Sequence, residues 1–221
     1  FEIWDNLGIE TGIEMIKSCG EEIPNWITDM SASGVESFYK FEDGKKKFYD
    51  VNSKKYINVP SSEDHYILDA FRENKQILRN PECTVHDIGD GVMCIEFQTK
   101  GNSIGEGIAK GINEAIDIAE RDGWNGIVIG NNDKQFSVGA NLMNMGMMAM
   151  QKNFDEIEKF LVGFQKILMR MRTCNVPVVS ATHGFVMGGG LEVSIHCDAG
   201  IHASEAYIGL VEAGVGLIPG G

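Results

Sequence analysis

Apolar residues recur along the chain at two spacings, every third or fourth position in some stretches and every second in others. The change of spacing marks out the elements. Over residues 1–30, Ile9, Ile13, Met15 and Ile16 stand apolar in a polar background until Pro24, which predicts a short helix too small to fold alone. From Ser37 to Val59, three aromatic-rich runs separated by Asp43-Gly44-Lys45-Lys46 and Asn52-Ser53-Lys54-Lys55 predict a three-stranded meander. Residues 61–82 carry cap residues at Ser61 and Ser62, apolar Ile67, Leu68, Phe71, Ile77 and Leu78, and a stop at Asn80-Pro81. They predict a helix linking two units.

Past residue 82 the alternation becomes regular. DGVMCIEFQT alternates as a strand, Ile104, Ile108, Ile112, Ala115 and Ala119 fall on one helical face, and WNGIVIGN reads as a short buried strand. That order predicts a strand, helix, strand unit on a parallel sheet. A second round follows, with FSVGANL as a loop, a helix carrying Phe154, Ile157, Leu161, Phe164 and Leu168 on its apolar face, and VPVVSATHG as the next strand. Three consecutive glycines, Gly188 to Gly190, come directly after that strand, and a new helix begins on them.

The chain has 221 residues, 43% of them hydrophobic, enough to bury a full core. Its net charge is −13 at pH 7 and acidic residues outnumber basic ones in both halves, so neither half offers a basic face and no nucleic-acid partner is expected. The five cysteines contain no CxxC pair, the usage of a reducing compartment, and a cytoplasmic location is expected. No apolar run approaches the roughly 20 residues of a membrane helix, so no membrane insertion is expected. A chain that opens on Phe1 and stops at Pro219-Gly220-Gly221 is expected to be a piece of something longer.

The triple glycine carries the first candidate chemistry. Glycine at a strand-to-helix turn permits positive φ and close approach to the backbone, and the first amides of a helix lack partners and sit at the positive end of its dipole. On the glycines alone, tight helix packing and a donor site for a negatively charged oxygen, with the Gly189 amide as donor, stay equally open. FSVGANL adds a second glycine-containing loop able to offer the Ala140 amide, Glu192 lies one turn past Gly189, and Glu212 sits in the apolar setting GLVEAGVGLIPGG.

Three motifs in order, F-S-x-G-A-x-L, then G-x-x-x-G-G-G-x-E, then a glutamate followed by G-L-I-P-G-G, make residues 83–221 resemble the crotonase, or enoyl-CoA hydratase/isomerase, superfamily. The resemblance implies an α/β fold of the ClpP/crotonase type, a spiral of repeated ββα units, here truncated at its C-terminus and preceded by a small α+β piece. It implies an oxyanion hole from the amides of Ala140 and Gly189 for an acyl-CoA thioester, and Glu192 and Glu212 as the catalytic pair that adds water to a trans-2-enoyl-CoA. Asn141, Leu142, Met143 and Gly188 are the substrate-binding positions it implies. Asn141 replaces the family's usual Asp, and Met143 stands where a basic residue near the CoA is common.

FEIWDNLGIETGIEMI, at the front, is similar to the end of the C-terminal domain of 3-hydroxyacyl-CoA dehydrogenases. Together the likenesses imply three parts: 1–60 as a dehydrogenase tail plus meander, 61–82 as the linking helix, and 83–221 as an incomplete hydratase domain of a bifunctional fatty-acid β-oxidation protein. They imply no cofactor for hydration, NAD only for a dehydrogenase part outside this chain, an acyl-CoA substrate, and a homo-oligomeric parent. An enoyl-CoA isomerase and a non-catalytic acyl-CoA-binding or assembly domain are the rival readings.

Other features carry less. The methionine-rich LMNMGMMAMQ reads either as core filling or as the lining or lid of an acyl pocket. His183, His196, Cys197 and His202 match no zinc spacing, so no metal is expected, and Ser194 lacks the G-x-S-x-G elbow of a serine hydrolase.

Overall fold

The computed structural model describes residues 1–42, 45–60, 66–71 and 75–221. The chain divides into two compact units, Phe1–Ala70 and Phe71–Gly221.

In the first unit, three short helices, α1 (Glu2–Leu7), α2 (Ile9–Ser18) and α3 (Asn25–Ala32), precede an antiparallel sheet of β1 (Tyr39–Glu42), β2 (Lys45–Asp50) and β3 (Lys55–Asn58). The meander is as the pattern predicts, although Asp43 and Gly44 of its first turn lie outside the described residues. Where one helix is expected up to Pro24, there are two, and a third follows it. Gly8, at φ 85°, breaks the first from the second, which stops at Ser18, and Pro24, with its φ already near helical values, caps the third. The helices do not stand alone. Ile9, Ile27 and Met30 share a core with Phe38, and Tyr39 and Tyr49 of the meander pack against it. Both carboxylate oxygens of Asp5 accept from the sheet's entry, at 2.6 Å from the Phe38 amide and 2.8 Å from that of Tyr39.

The linking helix expected over 61–82 is not what forms. Leu68–Phe71 make a single 3-10 turn, and Gln76–Arg79 are a strand, β4, antiparallel to β5 (Cys83–Asp87). Ser61 and Ser62 lie outside the described residues. The reason is at Asn80-Pro81. The Asn80 side-chain oxygen accepts from the amides of Glu82 and Cys83 at 2.8 and 2.9 Å, which closes a turn. That turn folds Ile77 and Leu78 back onto the core of the second unit, where strand pairing replaces the helix that their spacing allowed.

The second unit is built on a six-stranded sheet. After β4 and β5 come β6 (Val92–Phe97), α4 (Glu106–Asp122), β7 (Gly126–Ile129), α5 (Leu142–Met150), α6 (Phe154–Thr173), β8 (Val178–Thr182), β9 (Phe185–Met187), α7 (Gly189–Ile195), β10 (Ala199–His202) and β11 (Tyr207–Gly209). The order is β10-β8-β7-β6-β5-β4, parallel from β6 to β10, while β9 and β11 pair in a small parallel sheet of their own. The strand, strand, helix repeat is visible in β5-β6-α4 and again in β8-β9-α7.

Helix α4 buries Ile108, Ile112, Ala115, Ile116 and Ala119 against the sheet, each large side chain contributing about 2 kcal/mol by its burial. On α6 the buried face is Phe164, Leu168 and Met171. Phe154, expected in that face, is 62% exposed, because it opens the helix ahead of the stretch that packs on α4. Among the described residues no helix is long and apolar enough to cross a membrane.

Candidate active site

Two of the three glycines that open α7, Gly188 and Gly190, are each explained by a different neighbour. At Gly188, which has φ 48°, a Cβ would meet Glu212 Oε1 at 2.6 Å. At Gly189 it would touch the Ala140 amide nitrogen at 3.4 Å, and at Gly190 it would strike the Ser137 Cβ at 2.7 Å. Close packing and a donor site are therefore not alternatives here. The side-chain-free turn admits two other loops at once, and their approach is what builds the site.

The loop 136–140 is threaded between strands rather than left free. The amides of Phe136 and Ser137 donate to the carbonyls of His183 and Phe185, the Met187 amide donates back to Ser137, and Ile104 donates to Gly139 at 2.8 Å. Gly139 takes φ 91°, a conformation that side chains disfavour, and this turns the next amide outward. Among the described residues neither the Ala140 nor the Gly189 amide has a hydrogen-bond partner. The two are close together: a Cβ on Gly139 would lie 3.2 Å from the Gly189 nitrogen. Two free N–H groups, one at a helix start, form a donor pair for an oxygen that gains negative charge.

A pocket opens beside these donors. Its walls hold Gly188, Gly189, Ala140, Glu192 and Glu212, with Met145, Phe160 and Phe164 among the apolar residues. Glu192 is 3% exposed, and its Oε1 accepts from the Gly221 amide at 2.8 Å. Its Oε2 lies 3.6 Å from the position of a Gly189 Cβ, next to the donor pair. Glu212, in the 3-10 turn Glu212–Val215, brings Oε1 to Gly188, while its buried Oε2 has no hydrogen-bond partner among the described residues. A buried carboxylate oxygen left unpaired is costly.

The structure brings together Glu192, Glu212, Ala140, Gly189, Gly188 and Leu142 at this one pocket. Asn141 instead caps α5, its Oδ1 accepting from the Asn144 amide at 3.3 Å, and faces a neighbouring cavity. Met143 is 76% exposed and lines neither of these cavities. The methionine-rich segment is not core, since no residue of α5 is buried, and Met145 and Met148 are the ones turned toward the cavities. Sequence reasoning missed Phe160 and Phe164, whose helical spacing announces burial but not a pocket wall. It also passed over Ser137, which sits inside the quoted loop motif.

Residues 87–221 match the family model described as enoyl-CoA hydratase/isomerase. A Bacillus subtilis (strain 168) protein named "Probable 3-hydroxyacyl-CoA dehydrogenase" is 38% identical over 222 residues, spanning 100% of this chain and 28% of that protein. The fatty acid oxidation complex subunit alpha of Psychrobacter sp. (strain PRwf-1) is 28% identical over 148 residues, 65% of this chain and 20% of the relative. The chain thus spans about a quarter of the length of these relatives. Among solved structures, the enoyl-CoA hydratase from Thermoplasma volcanium GSS1 superposes with a TM-score of 0.57 at 25% identity, over 64% of this chain and 56% of that one.

Proposed function

The chain belongs to the enoyl-CoA hydratase/isomerase family, and from that premise we propose that its second unit adds water to a trans-2-enoyl-CoA, giving a 3-hydroxyacyl-CoA in fatty-acid β-oxidation. The observation that carries this reading is the single pocket lined at once by two carboxylates and by the two loops with free amides.

The thioester oxygen accepts from the Ala140 and Gly189 amides. Negative charge collects on that oxygen when water attacks the β-carbon, so donors fixed there lower the barrier by about 3 kcal/mol each. Glu192 takes the proton from the attacking water, and Glu212, in its protonated form, gives a proton to the α-carbon. The two groups act on one water and one substrate, so they are assigned as a pair. Gly188 and Leu142 flank the bound thioester, and Asn141 faces the cavity beside the pocket.

No cofactor enters this reaction. The parent protein, on the similarity of the whole chain to the Bacillus subtilis relative, also oxidises the 3-hydroxyacyl product with NAD bound outside this chain. In the same reading, residues 1–60 are the tail of that dehydrogenase part with its meander, 61–82 connect it to the hydratase part, and the parent is a cytoplasmic homo-oligomer.

Substituting Glu192→Gln and Glu212→Gln separately tests the pair. Each is expected to lower crotonyl-CoA hydration by roughly a hundredfold or more. Retention within about tenfold for one of them would favour an isomerase that needs a single carboxylate. Calorimetric binding of an acyl-CoA with no turnover would make the unit a binding domain.

A further inference from the structure

Ser137 touches neither the pocket nor its carboxylates, yet it meets every element that places the donor pair. It is fully buried, 0% exposed. Its Oγ donates to the Asn102 carbonyl at 2.7 Å and accepts from the Gly139 amide at 3.1 Å, the peptide immediately before Ala140. Its backbone is bonded on both sides to β9, and its Cβ occupies the space left by Gly190 in the first turn of α7. Behind it Asn102, 2% exposed, adopts φ 52°, uncommon for a residue with a side chain, and its Nδ2 donates to the Gln135 carbonyl at 3.0 Å. Backbone strain of this kind is held in place only where the surroundings over-determine it.

We propose that Ser137, held by Asn102, is a positioning residue that sets the direction of the Ala140 amide and its spacing from the Gly189 amide. The hydroxyl fixes the peptide that precedes one donor while its Cβ fixes the helix turn that carries the other, so one side chain keeps two loops in register. A donor pair must be held within about half an ångström of its working geometry to be effective, and loops alone do not supply that precision. This inference rests on the hydratase reading of the site.

The test uses the 221-residue chain with Ser137→Ala and Ser137→Cys, and two readouts. One is the kcat and KM of crotonyl-CoA hydration. The other is the absorption of a bound cinnamoyl-CoA bearing a para-dimethylamino group, which moves to the red as its thioester oxygen accepts hydrogen bonds. The alanine variant is expected to lower kcat roughly tenfold or more with KM within about twofold, and to lose much of the red shift while still binding the probe. The cysteine variant, which keeps a weak acceptor in place, is expected to fall between the two, and it decides the matter if the alanine variant does not fold. An undiminished red shift and kcat in a folded variant would overturn the positioning role while leaving the hydratase reading intact. If the unsubstituted chain neither hydrates crotonyl-CoA nor shifts the probe, the hydratase reading fails and the positioning role falls with it.

Discussion

Glu212 Oε1 fills the space that a side chain on Gly188 would need, since a Cβ there would lie 2.6 Å away. The carboxylate and the start of α7 are thus placed by the same missing atoms. Gly188→Ala is therefore expected to move Glu212 out of the pocket and to strain a backbone at φ 48°, at a cost of about 1–3 kcal/mol. Crotonyl-CoA hydration should fall at least about a hundredfold, as expected for losing one proton-transfer group, and the melting temperature should drop by several degrees. An assay and a thermal melt check the two halves separately.

Gly190 and Ser137 predict a non-additive pair. Gly190→Ala brings a methyl to 2.7 Å from the Ser137 Cβ and should destabilise the chain, whereas adding Ser137→Gly removes the atom it strikes. The double variant should then be more stable than the sum of the single losses by about 0.5–3 kcal/mol, read from urea unfolding of all four proteins. Simple additivity would mean that the two residues are not in contact.

The thiols predict a loss of stability in alkali. Desolvation by burial pushes Cys83 up to about 11, and Cys94 and Cys197 up to about 12, from an ordinary 9.0. The folded chain keeps protons that the unfolded chain releases in this range. The stabilisation is fully present below about pH 9 and is lost as pH rises toward 12. The urea midpoint should fall between pH 9 and 11, less steeply in Cys94→Ala, and at pH 8 a thiol reagent should label the exposed Cys19 well before these three.

Phe160 and Met145 each face both the pocket with the glutamates and the cavity beside it. Phe160→Ala should join the two spaces and shift preference toward longer acyl chains. On the hydratase reading, kcat/KM for a ten-carbon relative to a four-carbon enoyl-CoA should rise by about tenfold, since each buried CH₂ is worth about 0.8 kcal/mol before losses. An unchanged ratio would show that the acyl chain ends elsewhere.

Much of this was legible in the residues. The buried stripe of α4 follows from its helical spacing, because one face of a helix must meet the sheet whatever else the chain does. The meander follows from its aromatic runs and turn residues. Ala140, Gly189, Glu192 and Glu212 are named through the family resemblance that three ordered motifs carry, and the four line one pocket.

Tertiary structure decided the remainder. Residues 76–79 became an edge strand because the Asn80 turn offered a partner in β5, a pairing that local periodicity does not record. Phe154 stayed exposed because position along α6, not spacing, determines which apolar residue reaches the helix packed beside it. Gly188 and Gly190 looked alike in sequence, yet each is required by a different distant group, Glu212 or Ser137. Periodicity and motif specify which face each element buries and which groups can react. Only the closing of loops far apart in the chain decides which atoms fill the space that a glycine leaves, because that is fixed by packing between segments and not within one.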